Sequence, residues 1–285
     1  MGGLFIATSS SMNISVIIPT HNRAYSLSRA LDSVFSQSTL PDEVIVVDDG
    51  SNDGTSELIE HKYPLVKTIY QNQQGVSAAR NVGIGEAKFD WIAFLDSDDE
   101  WLPHKLEKQC ETLMASPGLQ VCHTEEIWIR NGERVNQMNK HKKTGGWIYQ
   151  NCLPLCAMSP SSIMIHKCIF ADVGLFKEQL PACEDYDLWL RICARYPVLY
   201  VEKPCINKYG GHEDQLSSAY WGMDRFRIQA LMDILKEQVL NEDDKGATKI
   251  VLRKKIEVYS NGARKRGKDD ELHYYQNLLE EVGAL

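Results

Sequence analysis

The chain has 285 residues, 43% of them hydrophobic and 25% charged. That is enough to bury a substantial core in one large domain or two modest ones, and the ordinary proportions exclude wholesale disorder and a fibrous repeat. Lys and Arg number 31 against 39 Asp and Glu, a net charge of −8 at pH 7; this argues against a general nucleic-acid binder, because phosphates are met by Lys and Arg.

Residues 1–11 lack a basic stretch followed by a long apolar one, so they read as a disordered or non-native leader rather than a signal peptide. The first patterned segment opens at Met12. ISVIIP (14–19) is a β-branched run suited to a strand buried on both faces. Leu27, Ala30, Leu31, Val34 and Phe35 then fall on one helical stripe. EVIVV (43–47) is a second buried strand, residues 66–70 a third and WIAFL (91–95) a fourth, with a helix over 76–87 between the last two. Strands alternating with helices at this spacing predict a mostly parallel sheet with helices on its faces. Ligands in such sheets sit beyond the carboxyl ends of the strands, and the polar clusters 20–23, 48–55 and 96–99 fall there.

A helix near 103–115 follows. Residues 121–129 and 133–138 flank Asn131-Gly132, a hairpin signal, and 161–165 is another short strand. A helix is expected over 184–196, with Leu188, Ile192 and Tyr196 on one face. From about Trp221 the chain is helical and highly charged to its end, with possible breaks at Gly246 and Asn261-Gly262. No apolar run approaches the roughly 18 residues of a membrane span. The eight cysteines form no C-x-x-C pair and read as reduced, mostly buried thiols of a cytoplasmic protein. Cys152, Cys156, His166 and Cys168 have poor spacing for a zinc site.

Five clusters are candidates for chemistry. Crowded carboxylates in Asp96-Ser97-Asp98-Asp99 repel one another unless a cation or ligand hydroxyls lie between them, and oxygen donors so spaced suit Mg²⁺ or Mn²⁺ on a diphosphate. Alone, the run reads equally well as a solvated turn capping a helix. Residues 48–55 combine two glycines with side chains able to bond a base or, through Asp53, to cap a helix. In GVSAARN (75–81), Arg80 has the reach for a phosphate or an aspartate, although a packed helix with an exposed Arg is the commoner case. Glu184-Asp185 opens an amphipathic helix, which suits N-terminal capping or a general base. His212 follows two glycines in KYGGH and, taken by itself, reads as an exposed loop residue.

Taken together, SVIIPTHNR (15–23), VIVVDDGSNDGT (44–55), QGVSAARNVGI (74–84), FLDSDDEW (94–101) and EDYDLWLR (184–191) resemble the family 2 inverting glycosyltransferases of bacterial type. The five segments stand in the family's order and cover roughly residues 13–215. The resemblance implies the GT-A fold, a Rossmann-like nucleotide-diphospho-sugar transferase with a mixed, mostly parallel sheet. Residues 12–220 would form the catalytic domain, with a nucleotide-binding half (12–115) and an acceptor half (116–220); residues 221–285 would be a helical extension. It places Pro19, Thr20, Asn22, Arg23, Asp49, Arg80, Asp96 and Ser97 at the nucleotide, with Asp49 at a uracil ring and Asp96 at the ribose. It places Asp98 on a metal, Mg²⁺ or Mn²⁺, and His212 on that metal or the diphosphate. Asp185 matches the catalytic base, with Glu184 as its neighbour.

The implied reaction is metal-dependent hexosyl transfer from a nucleotide-sugar donor, a UDP-sugar by Asp49, to the hydroxyl of a glycan or glycolipid acceptor, in bacterial surface polysaccharide or glycolipid synthesis. Nucleic acid is not an expected partner. A nucleotidyltransferase would want a Gly-rich, basic loop near the start, which PTHNR (19–23) lacks; an inactive binding module would not need the full set of Asp96, Asp98 and Asp185. In the C-terminal region, RKK (253–255) and RKRGK (264–268) read as a solvated helix face or as a peripheral contact with anionic lipid at the inner membrane surface.

Overall fold

A computed structural model describes residues 12–138, 141–211 and 220–284. Among them nine strands form one mixed sheet in the order β3-β2-β1-β4-β8-β6-β9-β5, with β7 paired to β6. The first half builds its parallel part: β1 (Ile14–Thr20), α1 (Ala24–Phe35), β2 (Glu43–Asp48), α2 (Thr55–Lys62), β3 (Lys67–Tyr70), α3 (Val76–Glu86) and β4 (Trp91–Phe94). β1 pairs in parallel with β2 on one side and β4 on the other. All seven residues of β1 are buried, which is why its sequence is a continuous apolar run rather than an alternation. α1 buries Leu27, Ala30, Leu31 and Val34 as the stripe predicts, but Phe35 is 40% exposed and stacks on Tyr63 at the helix end instead. α3 lies hard against β1: a Cβ on Gly83 would meet Ile17 Cγ2 at 2.4 Å. Only glycine lets this helix sit so deep.

The second half adds β5 (Glu100–Trp101), α4 (Lys105–Met114), β6 (Val121–Arg130), β7 (Glu133–Val135), α5 (Tyr149–Cys152), a 3₁₀ turn (Pro160–Ser162), β8 (Met164–His166), α6 (Cys168–Val173), α7 (Glu184–Cys193) and β9 (Leu199–Gly210). β8 runs antiparallel to both β4 and β6, and so joins the two parts of the sheet. The β6–β7 hairpin forms around Asn131 and Gly132, both with positive φ, but β7 ends at Val135, short of the expected 138. The strand expected over 161–165 begins three residues later, because residues 160–162 turn in a 3₁₀ helix. β9, a 12-residue strand parallel to β6, was not expected, and Lys208 to Gly210 belong to it rather than to a loop.

Three helices close the chain: α8 (Asp224–Lys236), α9 (Glu242–Lys265) and α10 (Asp269–Ala284). The expected breaks at Gly246 and Asn261-Gly262 are corrected: all three residues lie inside α9. The breaks fall at Gln238 and Gly267, each with positive φ, and Asn241 caps α9 by accepting from Asp244 N at 2.8 Å. Leu231, Ile234, Leu252 and Ile256 join one continuous core with Ile17, Phe94 and Trp189. The cysteines are all free; six are buried, Cys156 is half-buried and Cys168 exposed. Among the described residues no helix is long and apolar enough to cross a membrane.

Candidate active site

The order β3-β2-β1-β4 reverses direction at β1, so the loops after β1, β2 and β4 gather at one crevice. A cavity of about 830 Å³ opens there, lined by Pro19, Thr20, Asn22, Arg23, Asp49, Arg80, Asp96, Ser97, Asp98, Glu184 and Asp185. Every nucleotide-site, base-site and Asp98 position expected from the sequence therefore faces one space. His212 and residues 1–11 lie outside the described residues.

The loops after β1 and β2 are laced together. His21 Nδ1 lies 2.7 Å from Asp49 O; Asn22, at φ +50°, takes Ser51 Oγ on its N–H and offers Oδ1 to Asn52 N at 2.8 Å. Asp49 is buried, and its carboxylate organises the next loop by accepting from Gln71 Nε2, Gln74 N and Gly75 N at 2.6–2.8 Å. Asp53 is not the N-cap expected of it: Gly54, at φ +88°, holds that place in α2, and Asp53 stands one residue before it, accepting from Thr55 N at the start of α2 and from Ala24 N at the start of α1. Thr20 Oγ1 and Ser77 Oγ, on two lining residues, are buried without a hydrogen-bond partner among the described residues. Orphaned hydroxyls of this kind mark a wall built to meet a polar ligand.

The three aspartates after β4 are held in three ways. Asp96 Oδ1 accepts from Arg80 Nη2 at 2.7 Å. Asp98 Oδ2 accepts from Arg23 at 3.1 Å, while its carbonyl takes Arg29. Asp99 is buried and accepts from Ser161 Oγ at 2.6 Å and Tyr209 N at 3.0 Å. Burial, and then the charge of Asp98, push its carboxyl well above the ordinary range. Lys208 projects toward this run from β9. Burial alone would push its ammonium down, but Glu126, Asp99 and Asp96 outweigh that and hold it up.

Arg80 ties the run to the far motif. Its Nη1 donates to Glu184 Oε1 at 2.7 Å, and its guanidinium packs over Phe176 at 5.1 Å. Of the expected alternatives, the pairing of Arg80 with an aspartate is the one observed, and the exposed arginine is corrected: Arg80 is a buried bridge between Asp96 and Glu184. Glu184 is buried; that burial, then the charge of Asp185, raises its carboxyl, and Arg80 opposes the rise. Asp185 is half-buried, its Oδ2 accepting from Cys156 Sγ at 3.1 Å. The residue before the pair, Cys183, has φ +62°, a left-handed conformation costly for a side chain. α7 is anchored beneath by Trp189 Nε1 on Met158 O and Tyr186 OH on Leu153 O.

Sequence reading assigned no role at this cavity to Cys156, Ser77, Lys208 and Arg227, although Ser77 and Lys208 lie inside the candidate segments GVSAARN and KYGGH. Arg227 lay outside every candidate segment; its one local signal is Asp224 three residues before it on one helix, an ion-pair spacing. The oxygen donors of the run suit a hard divalent cation. Among the described residues no three His, Cys, Asp or Glu side chains cluster as a metal site. The chain offers Asp98 at the cavity, and phosphate oxygens of a bound nucleotide would have to complete such a shell.

Comparison with known proteins agrees with this geometry. The fold matches the crystal structure of S. aureus TarS 1-349 in complex with UDP-GlcNAc, which superposes with a TM-score of 0.75 over 95% of this chain and 81% of that one, at 21% identity. That likeness establishes the GT-A fold. An uncharacterised glycosyltransferase of Nostoc sp. is 39% identical over 130 residues, 44% of this chain and 40% of its own length. The chain thus spans well under half of that relative. The putative teichuronic acid biosynthesis glycosyltransferase TuaG of Bacillus subtilis is 37% identical over 212 residues, 73% of this chain and 82% of that protein. Residues 15–164, the span that carries the laced loops and the aspartate run, match the glycosyl transferase family 2 model. On that match and on the TuaG identity, the chain belongs to glycosyl transferase family 2.

Proposed function

We propose that the chain transfers a hexosyl group from a UDP-sugar to the hydroxyl of a glycan or glycolipid acceptor, with inversion, in surface polysaccharide or glycolipid synthesis. The observation that carries this reading is the Arg80 bridge, which draws Asp96 of the donor motif and Glu184, next to Asp185, onto one cavity. The UDP-GlcNAc held by TarS and the teichuronic acid assignment of TuaG support the uridine donor and the polymer class.

Asp49, fixed by three donors, offers its remaining lone pair to a uracil N–H, and Pro19, Thr20 and Asn22 supply the adjoining wall. Asp96 and Ser97 meet the ribose, and Arg23 shifts from Asp98 toward the phosphates. Asp98 would hold Mg²⁺ or Mn²⁺, with His212 as the further ligand, and the cation would supply positive charge where the leaving diphosphate gains negative charge. Asp185 takes the proton of the acceptor hydroxyl as that oxygen attacks the anomeric carbon from the face opposite the diphosphate, so one displacement inverts the centre. Glu184 keeps α7 in register through Arg80. Exposed Arg253, Lys254, Arg264 and Lys265 would give a peripheral contact with the cytoplasmic membrane face; Lys255, by contrast, is buried and Lys268 lies over the Trp221 ring.

A screen of nucleotide-sugars for nucleotide release, with and without chelator, tests the proposal. Asp98→Ala abolishes metal-dependent transfer. Asp185→Asn keeps UDP binding in calorimetry and loses turnover by about 10²–10⁴-fold. Full turnover by Asp185→Asn overturns the base assignment, and undiminished turnover in chelator overturns the metal.

A further inference from the structure

The cavity wall on the α8 side carries a positive charge that the transfer reaction described above does not use. Arg227 lines the cavity along with Cys183, Asp185 and Tyr186. Its Nη1 donates to Asp224 Oδ1 at 3.0 Å, and its Nε is buried without a hydrogen-bond partner among the described residues. Asp224 does not neutralise Arg227 alone. The same Oδ1 also accepts from Lys255 Nζ at 3.1 Å, and the other partner of Lys255 is the uncharged carbonyl of Pro154. One carboxylate therefore serves two cations, and the group carries one surplus positive charge in a chain whose net charge is −8. A surplus cation held largely out of water is costly unless an anion completes it.

The position of this charge relative to the base decides what it is for. Cys156, hydrogen-bonded to Asp185, lies within the field of both Lys208 and Arg227. Lys208 reaches the cavity from β9 and acts on Asp96 and Asp99, where the donor's diphosphate belongs. Arg227 reaches it from α8, among the C-terminal helices, and that wall is left for the acceptor. Arg is also the cation whose planar fork matches the oxygens of a phosphate or carboxylate.

We propose that Arg227 reads an anionic group, phosphate or carboxylate, which the acceptor carries close to the hydroxyl that is glycosylated. This rests on the glycosyl-transfer reading and narrows its acceptor to a negatively charged one. It makes Arg227 a specificity-determining residue rather than a participant in bond making.

The test uses acceptor pairs that differ in the anion alone: glycerol 1-phosphate against glycerol, and p-nitrophenyl glucuronide against p-nitrophenyl glucoside. UDP release is measured with whichever UDP-sugar the wild-type protein turns over. The wild type is expected to favour the anionic member of at least one pair by about tenfold or more in kcat/KM, and the pair that responds tells phosphate from carboxylate. Arg227→Gln collapses that ratio toward one, and Arg227→Lys keeps part of it. The ratio is read within one preparation, so a loss of folded protein cancels. Equal kcat/KM for both members of both pairs in the wild type overturns the inference while leaving glycosyl transfer standing. Survival of the preference in Arg227→Gln overturns it as well, and a wild type that releases nucleotide from no donor removes both readings.

Discussion

The two halves of the sheet hold their carboxylates by different means. After β2 the aspartates lean on main-chain amides, Asp48 accepting from Ser51 N and Asp49 from Gln74 N and Gly75 N, while Asp96 and Asp98 after β4 rest on Arg80 and Arg23. Beyond β6 the acids are matched to cations, of which Lys143 and Arg191 are buried and Lys177 half-buried. Glu126 pairs with Lys143 at 2.8 Å, and Asp187 with Arg191 and Lys177 at 2.7–2.8 Å. An amide donor is present whatever the side chain, so the first arrangement survives most substitutions around it. The second fails when either partner is lost, because the survivor is a buried, uncompensated charge.

The largest test of this contrast is Glu126→Gln. Glu126 is 6% exposed and also accepts from Ser159 and Trp128; burial pushes its carboxyl up, but the charges of Lys143 and Lys208 with the hydrogen bonds from Lys143 and Ser159 together hold it far below the usual range. Its loss should cost about 3–5 kcal/mol in chemical denaturation. Glu126→Gln combined with Lys143→Met should recover much of that; simple additivity of the two single losses would break the contrast. Gly83→Ala probes the first half, where packing rather than charge sets the limit. Driving a methyl into Ile17 should cost about 1–3 kcal/mol, against the gain in helix propensity that alanine brings elsewhere.

The pH dependence set by Lys105 is the most diagnostic in its sign. Lys105 is fully buried on α4, donating to Gln109 Oε1 at 2.7 Å over the Trp101 ring, and burial pulls its ammonium down to about 7. Between about pH 7 and the unfolded value near 10.5, the unfolded chain binds the extra proton, so stability rises with pH across that window. Lys105→Met should remove a slope of about 1.4 kcal/mol per pH unit and stabilise the protein most at the acid end. Urea titrations at pH 7, 8 and 9 give the slope directly, and an unchanged slope in the variant would show that Lys105 is not its source.

The same contrast explains what could be read from the amino-acid sequence. β1, β2 and β4 are legible because strands buried on both faces need unbroken β-branched and apolar runs, and the polar clusters at their ends announce the cavity. β9 was hidden. Its sequence LYVEKPCINKYG mixes Glu202, Lys203 and Pro204 into the strand, and two register shifts against β6 absorb the irregularity. Gly246 and Gly262 look like helix breaks only in isolation; inside α9 the buried face of Leu252, Ile256 and Tyr259 overrides the local cost of glycine. At the site, the family segments point to Asp49, Asp96, Asp98 and Asp185, but not to Arg80 as a bridge or to Cys156 on Asp185. Those partners lie 104 and 29 residues apart in the chain, and no local pattern encodes such a pairing.

The bridge has a consequence in the language of linkage. A single guanidinium serves Asp96 on one side and Glu184 on the other, and it cannot strengthen its hold on one without loosening it on the other. A ligand that engages Asp96 competes with Arg80 for that oxygen, and the energy of the competition is felt at Glu184, beside Asp185, the proposed base. Coupling of this kind is reciprocal: whatever the donor does to acceptor affinity through Arg80, the acceptor does to donor affinity by the same factor, whichever of them arrives first.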